Sequence, residues 1–429
     1  MFDQRHDFTL TLRLLSDLHL GDGNSRDLTE RIQDEMVPRS ATIARDFENK
    51  PWLPGTSLKG ALRAICEPDH AVAIFGAAHD AVDAVGGKLI LWGGVLDEAS
   101  LPEKDAIKLP DYNKAPFTYV GAHIAIDPAT GSAEDGKLFF RDYVPAGARF
   151  VVRCCWQGSF EDLARIVLPV LNRAAAQTGF PLGKATRAGF GRVRIEPTDI
   201  EICSKSLALE DGNPKIAAET ARLTIVPESG STLRDLTLRC EGPFLIVDPM
   251  RAGEGGADDH VDMRTFQRDH SMPELLGTSL IGAMRGRAGW LQQVKMNLEP
   301  DDRSAKYRGK GHKLTPVQRL FGINGWAKRV RLISIELIGC ESASHIYPGI
   351  LLDDFTQGAV HGALYMIEAP GDLTFRIRWD VDERGLCEES YKLIEHLMAD
   401  FAANGIKVGH KTGSGFGWFD VVGEIAHAA

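Results

Sequence analysis

The stretch PGTSLKGALR, residues 54–63, is echoed far along the chain by LGTSLIGAMR, residues 276–285. Each reads as a helix start. Pro or Gly breaks the chain, Thr56 or Ser57 (Thr278 or Ser279 in the second) can cap, and Leu58, Ala61 and Leu62 recur at helical spacing. A helix start written twice points to a repeated unit, and a repeat decides the fold before any other feature does.

Two further blocks recur in the same order. IDPATGSAEDGKLFFRDYVPAGARFVVR (126–153) lies against LDDFTQGAVHGALYMIEAPGDLTFRIR (352–378), with Asp127, Thr130, Gly136 and Leu138 on Asp353, Thr356, Gly362 and Leu364. GKATRAGFGRVRI (183–195) lies against GHKTGSGFGWFDV (409–421), with Gly183, Thr186, Gly189, Phe190 and Gly191 aligned without a gap. The numbering offset is 222 for the first block and 226 for the other two. Chance similarity does not keep order and spacing together; the chain carries one unit twice.

Within the unit, FTLTLRLL (8–15) alternates as a half-buried strand does, a helix follows over 57–66, and KLILW (88–92) reads as a strand. KLFFRDY and ARFVVRCCW, joined by VPAG, read as a hairpin. A helix over 160–177 sets Leu163, Ile166, Val167, Val170 and Leu171 on one stripe, with Pro169 placed to kink it. The second copy repeats the order, with a helix near 388–403. Strands interleaved with two helices predict an α+β protein of two tandem ferredoxin-like (modified RRM) domains with inserted hairpins and loops. The boundaries expected are 1–200, a linker over 201–230 whose most loop-like run is LEDGNPK (209–215), and 231–429 with a basic insertion near 292–315.

Composition narrows the function. The 429 residues suit two or three domains, and 44% apolar with 25% charged is globular. None of the seven cysteines forms a CxxC pair and their number is odd, which argues against a zinc knuckle or a disulfide framework. MFDQRHDF is charged rather than signal-like, and no apolar run approaches the roughly 20 residues of a membrane span. The expectation is a soluble, cytoplasmic protein with no membrane partner. A net charge of −10 argues against a free-standing nucleic-acid binder but leaves room for a local basic groove.

Three elements together carry a resemblance: the PGTSLKGALR helix, the dipeptides Phe75-Gly76 and Phe321-Gly322, and GxxTxxGFG near each copy's end. The combination resembles the RAMP superfamily of CRISPR-associated proteins, and looks closest to a fusion of two backbone subunits of type III effector complexes. It covers about 5–197 and 233–423. The resemblance implies RRM-like units stacked along a guide RNA, partners among the other CRISPR effector subunits, and a hairpin wedged between bases. In catalytic members it implies an Asp that helps a divalent metal, here Mg²⁺, cleave target RNA.

The Gly-rich loops let backbone N–H groups approach a phosphate, and the plain alternative is a tight turn into a strand. Candidate RNA contacts are Gly183, Lys184, Arg187, Gly189 and Gly191 in one copy and His410, Lys411, Gly413, Gly415 and Gly417 in the other. Gly405, Gly409, Lys411 and Thr412 miss the spacing of a phosphate-loop NTPase. At the helix starts, Lys59, Arg63 and Arg285 are candidates beside a free N-terminus, although Ile281 stands where Lys59 does.

The family's Asp precedes an Arg-Asp pair by about six residues. Before Arg45-Asp46 that place holds Ser40, so the catalytic candidate in copy one is Asp34, with Asp22 and Asp27 earlier. Before Arg268-Asp269 it holds Asp262, the catalytic and metal candidate, beside Asp258, Asp259 and His260; an acidic loop of this kind is otherwise a solvated surface. RSAKYRGKGHK (303–313) is basic, with Tyr307 available for stacking, or else a flexible basic loop. His19, without a match in copy two, reads as structural, and the His79-Asp80 pair lacks the further metal-binding histidines of an HD phosphohydrolase. The reading is a double guide-RNA-binding subunit that also meets target RNA. Its rivals are a scaffold without chemistry and an unrelated enzyme for a small phosphorylated ligand.

Overall fold

The computed structural model describes residues 4–28, 39–77, 86–101, 117–123, 138–186, 189–210, 213–228, 234–248, 261–267, 272–309, 313–353, 359–383 and 385–422. Copy one begins with β1 (Gln4–Leu14), β2 (Gly21–Asp27), β3 (Arg39–Ile43) and β4 (Trp52–Leu53). Helices α1 (Gly55–Ile65) and α2 (Pro68–Phe75) follow, then β5 (Leu89–Asp97), β6 (Tyr119–His123), β7 (Phe139–Tyr143) and β8 (Arg149–Gln157). Next come α3 (Phe160–Asp162), a π-wound turn (Leu163–Val167) and α4 (Leu168–Ala174), which run on as one helix. The π turn lies just before Pro169, which has no N–H to give an α-helical ladder. Copy one closes with β9 (Phe180–Pro181) and β10 (Arg192–Ile195).

The order of β10, β1, β8 and β5 across the main sheet is antiparallel throughout, with α1 lying between β1 and β5 in sequence and α3–α4 between β8 and β10. Copy two repeats it. Its strands are β13 (Arg234–Cys240), β14 (Met263–Arg264), β15 (Val330–Cys340), β16 (His345–Leu352), β17 (Ala359–Ala369), β18 (Leu373–Val381), β19 (Ile406–Lys407) and β20 (Trp418–Val421). Its helices are α5 (Gly277–Val294), α6 (Pro316–Phe321) and α7 (Glu388–Asn404). The second sheet runs β15-β18-β13-β20-β19, the same sequence of equivalents. Each copy has its own core: Leu58, Leu62, Phe150 and Trp156 in the first, their neighbours' counterparts Leu280, Met284, Phe375 and Val381 in the second.

The segment expected as a linker is built differently. Most of it forms two long strands, β11 (Asp199–Glu210) and β12 (Asn213–Thr224), and β11 pairs with Gln4–Asp7 of β1, so the connection extends the first sheet before the chain enters copy two. The VPAG hairpin is a second departure. β7 pairs with β3 and β6 in a small sheet, whereas β8 lies in the main sheet, so VPAG carries the chain from one sheet to the other. Copy two does the same between β17 and β18. Alternation in sequence locates strands but does not say which sheet each one joins.

The PG motif acquires a physical reason. A Cβ at Gly55 would stand 2.1 Å from the Leu91 carbonyl oxygen, so only glycine lets α1 start against β5. The expected Thr or Ser caps are not made: Pro54 and Leu276 occupy the cap positions, and neither helix start receives a side-chain hydrogen bond. The motif is a packing device first.

Candidate nucleic-acid interface

The two glycine loops share one backbone. Lys184 N–H donates to the His19 carbonyl and His410 N–H to the Leu245 carbonyl, at 2.9 and 2.7 Å. Gly191 N–H donates to Asp17 and Gly417 N–H to Pro243, at 2.7 and 2.8 Å. A Cβ at Gly191 or Gly417 would come within 2.0 Å of the Leu182 or Val408 carbonyl oxygen, and one at Gly183 or Gly409 within 2.5 or 2.4 Å of the carbonyl it faces. These four glycines are therefore required by the turn itself. Gly413 and Gly415 have no atom within 4 Å of a Cβ position, so space is open there, and Gly415 is held in the left-handed region at φ 88° as well. A Cβ at Gly189 would stand 3.0 Å from Leu332 Cδ2 of the second copy.

Cations flank both loops. Lys184 is exposed. Lys411 sits in the left-handed region at φ 54°, as its counterpart Ala185 does at 58°, and its ammonium donates to the Tyr365 hydroxyl at 2.7 Å while lying 4.0 Å from that ring's centre. His410 is held below the ordinary imidazole pKa, chiefly by burial and then by the Lys411 charge. Arg187 lies outside the described residues.

Of the helix candidates, Lys59 is half-buried on α1 and Ile281, its counterpart, packs against the second core. The two arginines serve the protein's interior. Arg63 donates to the Gly76 carbonyl at 2.7 Å and Arg285 to the Gly322 carbonyl at 2.9 Å, tying each helix to the phenylalanine–glycine pair that ends the next one. Arg285 also forms a two-pronged pair with the buried Asp301 at 2.7 and 3.0 Å. These guanidiniums are engaged within the fold and not held out toward a phosphate.

The small sheets settle the register of the acidic position. Ser40 pairs with Phe140 in parallel, and Met263 pairs with Ile367. The bridges Arg45–Pro51 and Gln267–Pro273 fix the same alignment, so Ser40 and Asp262 share one position while Arg45 falls on Gln267. Ser40 Oγ donates to Asp142 Oδ1 at 2.6 Å, and the buried Asp142 is gripped by Arg26 at 3.2 Å through both oxygens. In copy two, Asp262 Oδ2 accepts from Met366 N–H at 2.7 Å, and Arg264 Nε stands 3.3 Å from Glu368 Oε2. Asp34, Asp258, Asp259 and His260 lie outside the described residues. Sequence reasoning missed Asp142 and Glu368, although an acid in each of the aligned apolar strands FFRDY and YMIEA was a readable signal.

A cleft of about 660 Å³ opens beside this position in copy one, lined by Arg26, Arg45, Asp22, Asp142 and the Trp52 ring. Its guanidiniums are engaged within the fold: Arg26 holds Asp142, and Arg45 donates to the Asn49 carbonyl at 2.7 Å and to the Thr118 hydroxyl at 3.0 Å. His19 is fully buried, its Nδ1 2.8 Å from the Asp142 carbonyl, and burial lowers its pKa. In the basic insertion, the Tyr307 ring meets Trp326 edge-on at 5.2 Å, and residues 310–312 lie outside the described set.

The fold and loops define a chain of two homologous βαββαβ units, each with a small side sheet and a glycine loop clasped to the residues after its first strand. The family pattern of the RAMP superfamily matches residues 11–194 and 244–420, one match per unit, and the chain belongs to that superfamily. A chain from the cryo-EM structure of type III-B Cmr-beta in the apo state is similar over 44% of this chain and 96% of its own, at 15% identity and a TM-score of 0.31. A comparison with curated proteins gave no match. No helix among the described residues is long and apolar enough to cross a membrane.

Proposed function

We propose that the protein is a double backbone subunit of a type III CRISPR effector ribonucleoprotein, each unit a ferredoxin-like domain of the RRM kind holding guide RNA. Other effector subunits and target RNA are its partners. The observation that carries this reading is the twofold glycine loop: in both units the same backbone hydrogen bonds hold it, a lysine stands within it or at its edge, and the superfamily match spans it. Loops of this build contact a sugar–phosphate backbone without reading sequence. Purification of the chain with the products of its neighbouring genes tests the reading. Recovery of one guide-sized RNA species is expected; a stable complex free of RNA would overturn it.

A second reading adds cleavage of target RNA by copy two alone, favoured by the carboxylate of Asp262 at the position where copy one has Ser40. A phosphodiester cleavage needs a carboxylate that reaches the attacking hydroxyl or a cation beside it. Mg²⁺ requires several oxygen ligands. Among the described residues no group of three His, Cys, Asp or Glu gathers, and Asp262 commits Oδ2 to a backbone N–H. Those residues do not compose a magnesium site by themselves. Asp262→Ala in the reconstituted complex tests the residue: unchanged cutting of guide-complementary RNA at every site removes it.

A further inference from the structure

Three arginines stand in a row across the open face of the first sheet. Arg13 of β1 lies opposite Arg194 of β10 on one side and opposite Arg149 of β8 on the other. Like charges directly opposite on neighbouring strands repel. Arg149 is paired with Glu196 at 2.9 Å. Arg13 and Arg194 make no ion pair or side-chain hydrogen bond among the described residues. Both line a cleft of about 840 Å³ between the two units. From copy two, Asp235 reaches Arg378 at 3.5 Å at the same cleft, while Glu336 has no ion pair among the described residues. Ser334 Oγ and Arg194 Nε, also of the cleft, are withdrawn from solvent without a hydrogen-bond partner. Polar groups in that condition cost free energy until something satisfies them.

The arrangement occurs once. Its counterparts at the repeat offset are Arg239 and Asp420, opposite each other on β13 and β20. There a guanidinium faces a carboxylate, and no second cation is left over. A contact that every unit makes to one continuous strand recurs in both copies, as the glycine loops do. A pair of cations present in one unit alone, and facing the wall of the other, suits a discrete ligand.

Chemistry narrows the ligand. Two adjacent guanidiniums take a doubly charged phosphate through paired N–H donors. Glu336 and the Ser334 hydroxyl can accept from hydroxyl or amino groups of the same molecule, and half-buried Leu15 offers apolar surface to a base. The volume falls within the roughly 300–1,000 Å³ of small-molecule sites. We propose that the cleft between the units binds a small phosphate monoester of the nucleoside monophosphate class, its phosphate on Arg13 and Arg194 and its sugar or base toward Glu336. The proposal does not depend on guide-RNA binding, because none of these residues lies in a glycine loop or on α1.

The test is titration calorimetry of the full-length purified chain with the four ribonucleoside monophosphates, inorganic phosphate and adenosine, with and without a guide-length RNA present. One site per chain is expected for at least one monophosphate, with inorganic phosphate weaker and adenosine silent. Arg13→Gln and Arg194→Gln should each weaken binding about 10-fold or more. Each also removes a like-charge neighbour, so the denaturant midpoint should stay level or rise. Arg194→Asp, which copies the second unit's arrangement, should abolish binding. Glu336→Ala should weaken the monophosphate and leave inorganic phosphate unchanged. Binding of no monophosphate overturns the proposal, as does binding that survives both arginine changes. A midpoint lowered by both glutamine variants overturns it by showing that the arginines hold the fold. Persistence of the monophosphate beside RNA supports the proposal, and its displacement by RNA overturns it by giving the arginines to the RNA path.

Discussion

The two copies agree in backbone and disagree in charge. A Cβ at Gly191 or Gly417 would meet a carbonyl oxygen at 2.0 Å, Gly55 and Gly277 open matching helices, and Arg63 and Arg285 reach equivalent glycine carbonyls. In the side sheets, by contrast, Asp142 is paired with Arg26 and accepts a hydrogen bond from Ser40, whereas Glu368 is paired with Arg264, a residue at the position of Thr42. Duplication has kept what positions a strand and released what surrounds the candidate chemistry. A carboxylate withdrawn wholly (Asp142) or partly (Glu368) from water needs a partner, and each copy has found one on a different strand.

The sharpest way to break that comparison is at the shared glycines. Gly191→Ala and Gly417→Ala each force a Cβ onto a carbonyl in a left-handed backbone, and each is expected to cost about 4 kcal/mol or more. Denaturant titration of both should give similar losses; tolerance in one copy would separate the loops. The arginines come next. Arg285→Ala takes from Asp301 its two-pronged partner and leaves only Arg303 at 3.7 Å, a loss of about 3 kcal/mol, while Arg63→Ala removes chiefly a bond to a carbonyl, about 1 kcal/mol. Equal effects would contradict the asymmetry.

Acid should also divide the copies. Burial lowers the pKa of His19 and takes that of His123 from 6.5 to about 4, and copy two has Leu245 and Gly349 at these places. The unfolded chain binds protons that the native first unit resists, so stability is full above pH 6.5 and falls as pH drops toward about 4. Native-state hydrogen exchange at decreasing pH is expected to open β6 and β7 before β16 and β17. The smallest effect concerns RNA: Lys184→Ala and Lys411→Ala should each reduce the salt dependence of binding by about 0.7 in log–log slope for one phosphate on a single strand.

Much of this was legible in sequence because it rests on local or periodic signals. The repeat, the helix of PGTSLKGALR and the strand order follow from spacing that survives in both copies. The sheet switch at VPAG was not, since alternation of FFRDY and RFVVR is the same whichever partner the strand takes. Nor were the roles of Arg63 and Arg285, because a basic side chain on a helix looks solvated until the carbonyl it reaches is known. The acidic position was legible in part: Ser40 and Asp262 were paired by their distance from an Arg-Asp dipeptide, and the bridges to Pro51 and Pro273 set that dipeptide one residue off.

The central claim is that both glycine loops hold one RNA. Photo-crosslinking of a guide-length RNA containing thiouridine in the purified complex, with mapping of the joined peptides, tests it directly. Crosslinks within both 183–191 and 409–417, to nucleotides separated by a fixed step, are predicted. Crosslinks confined to one loop, or absent from both while RNA remains bound, would contradict the account.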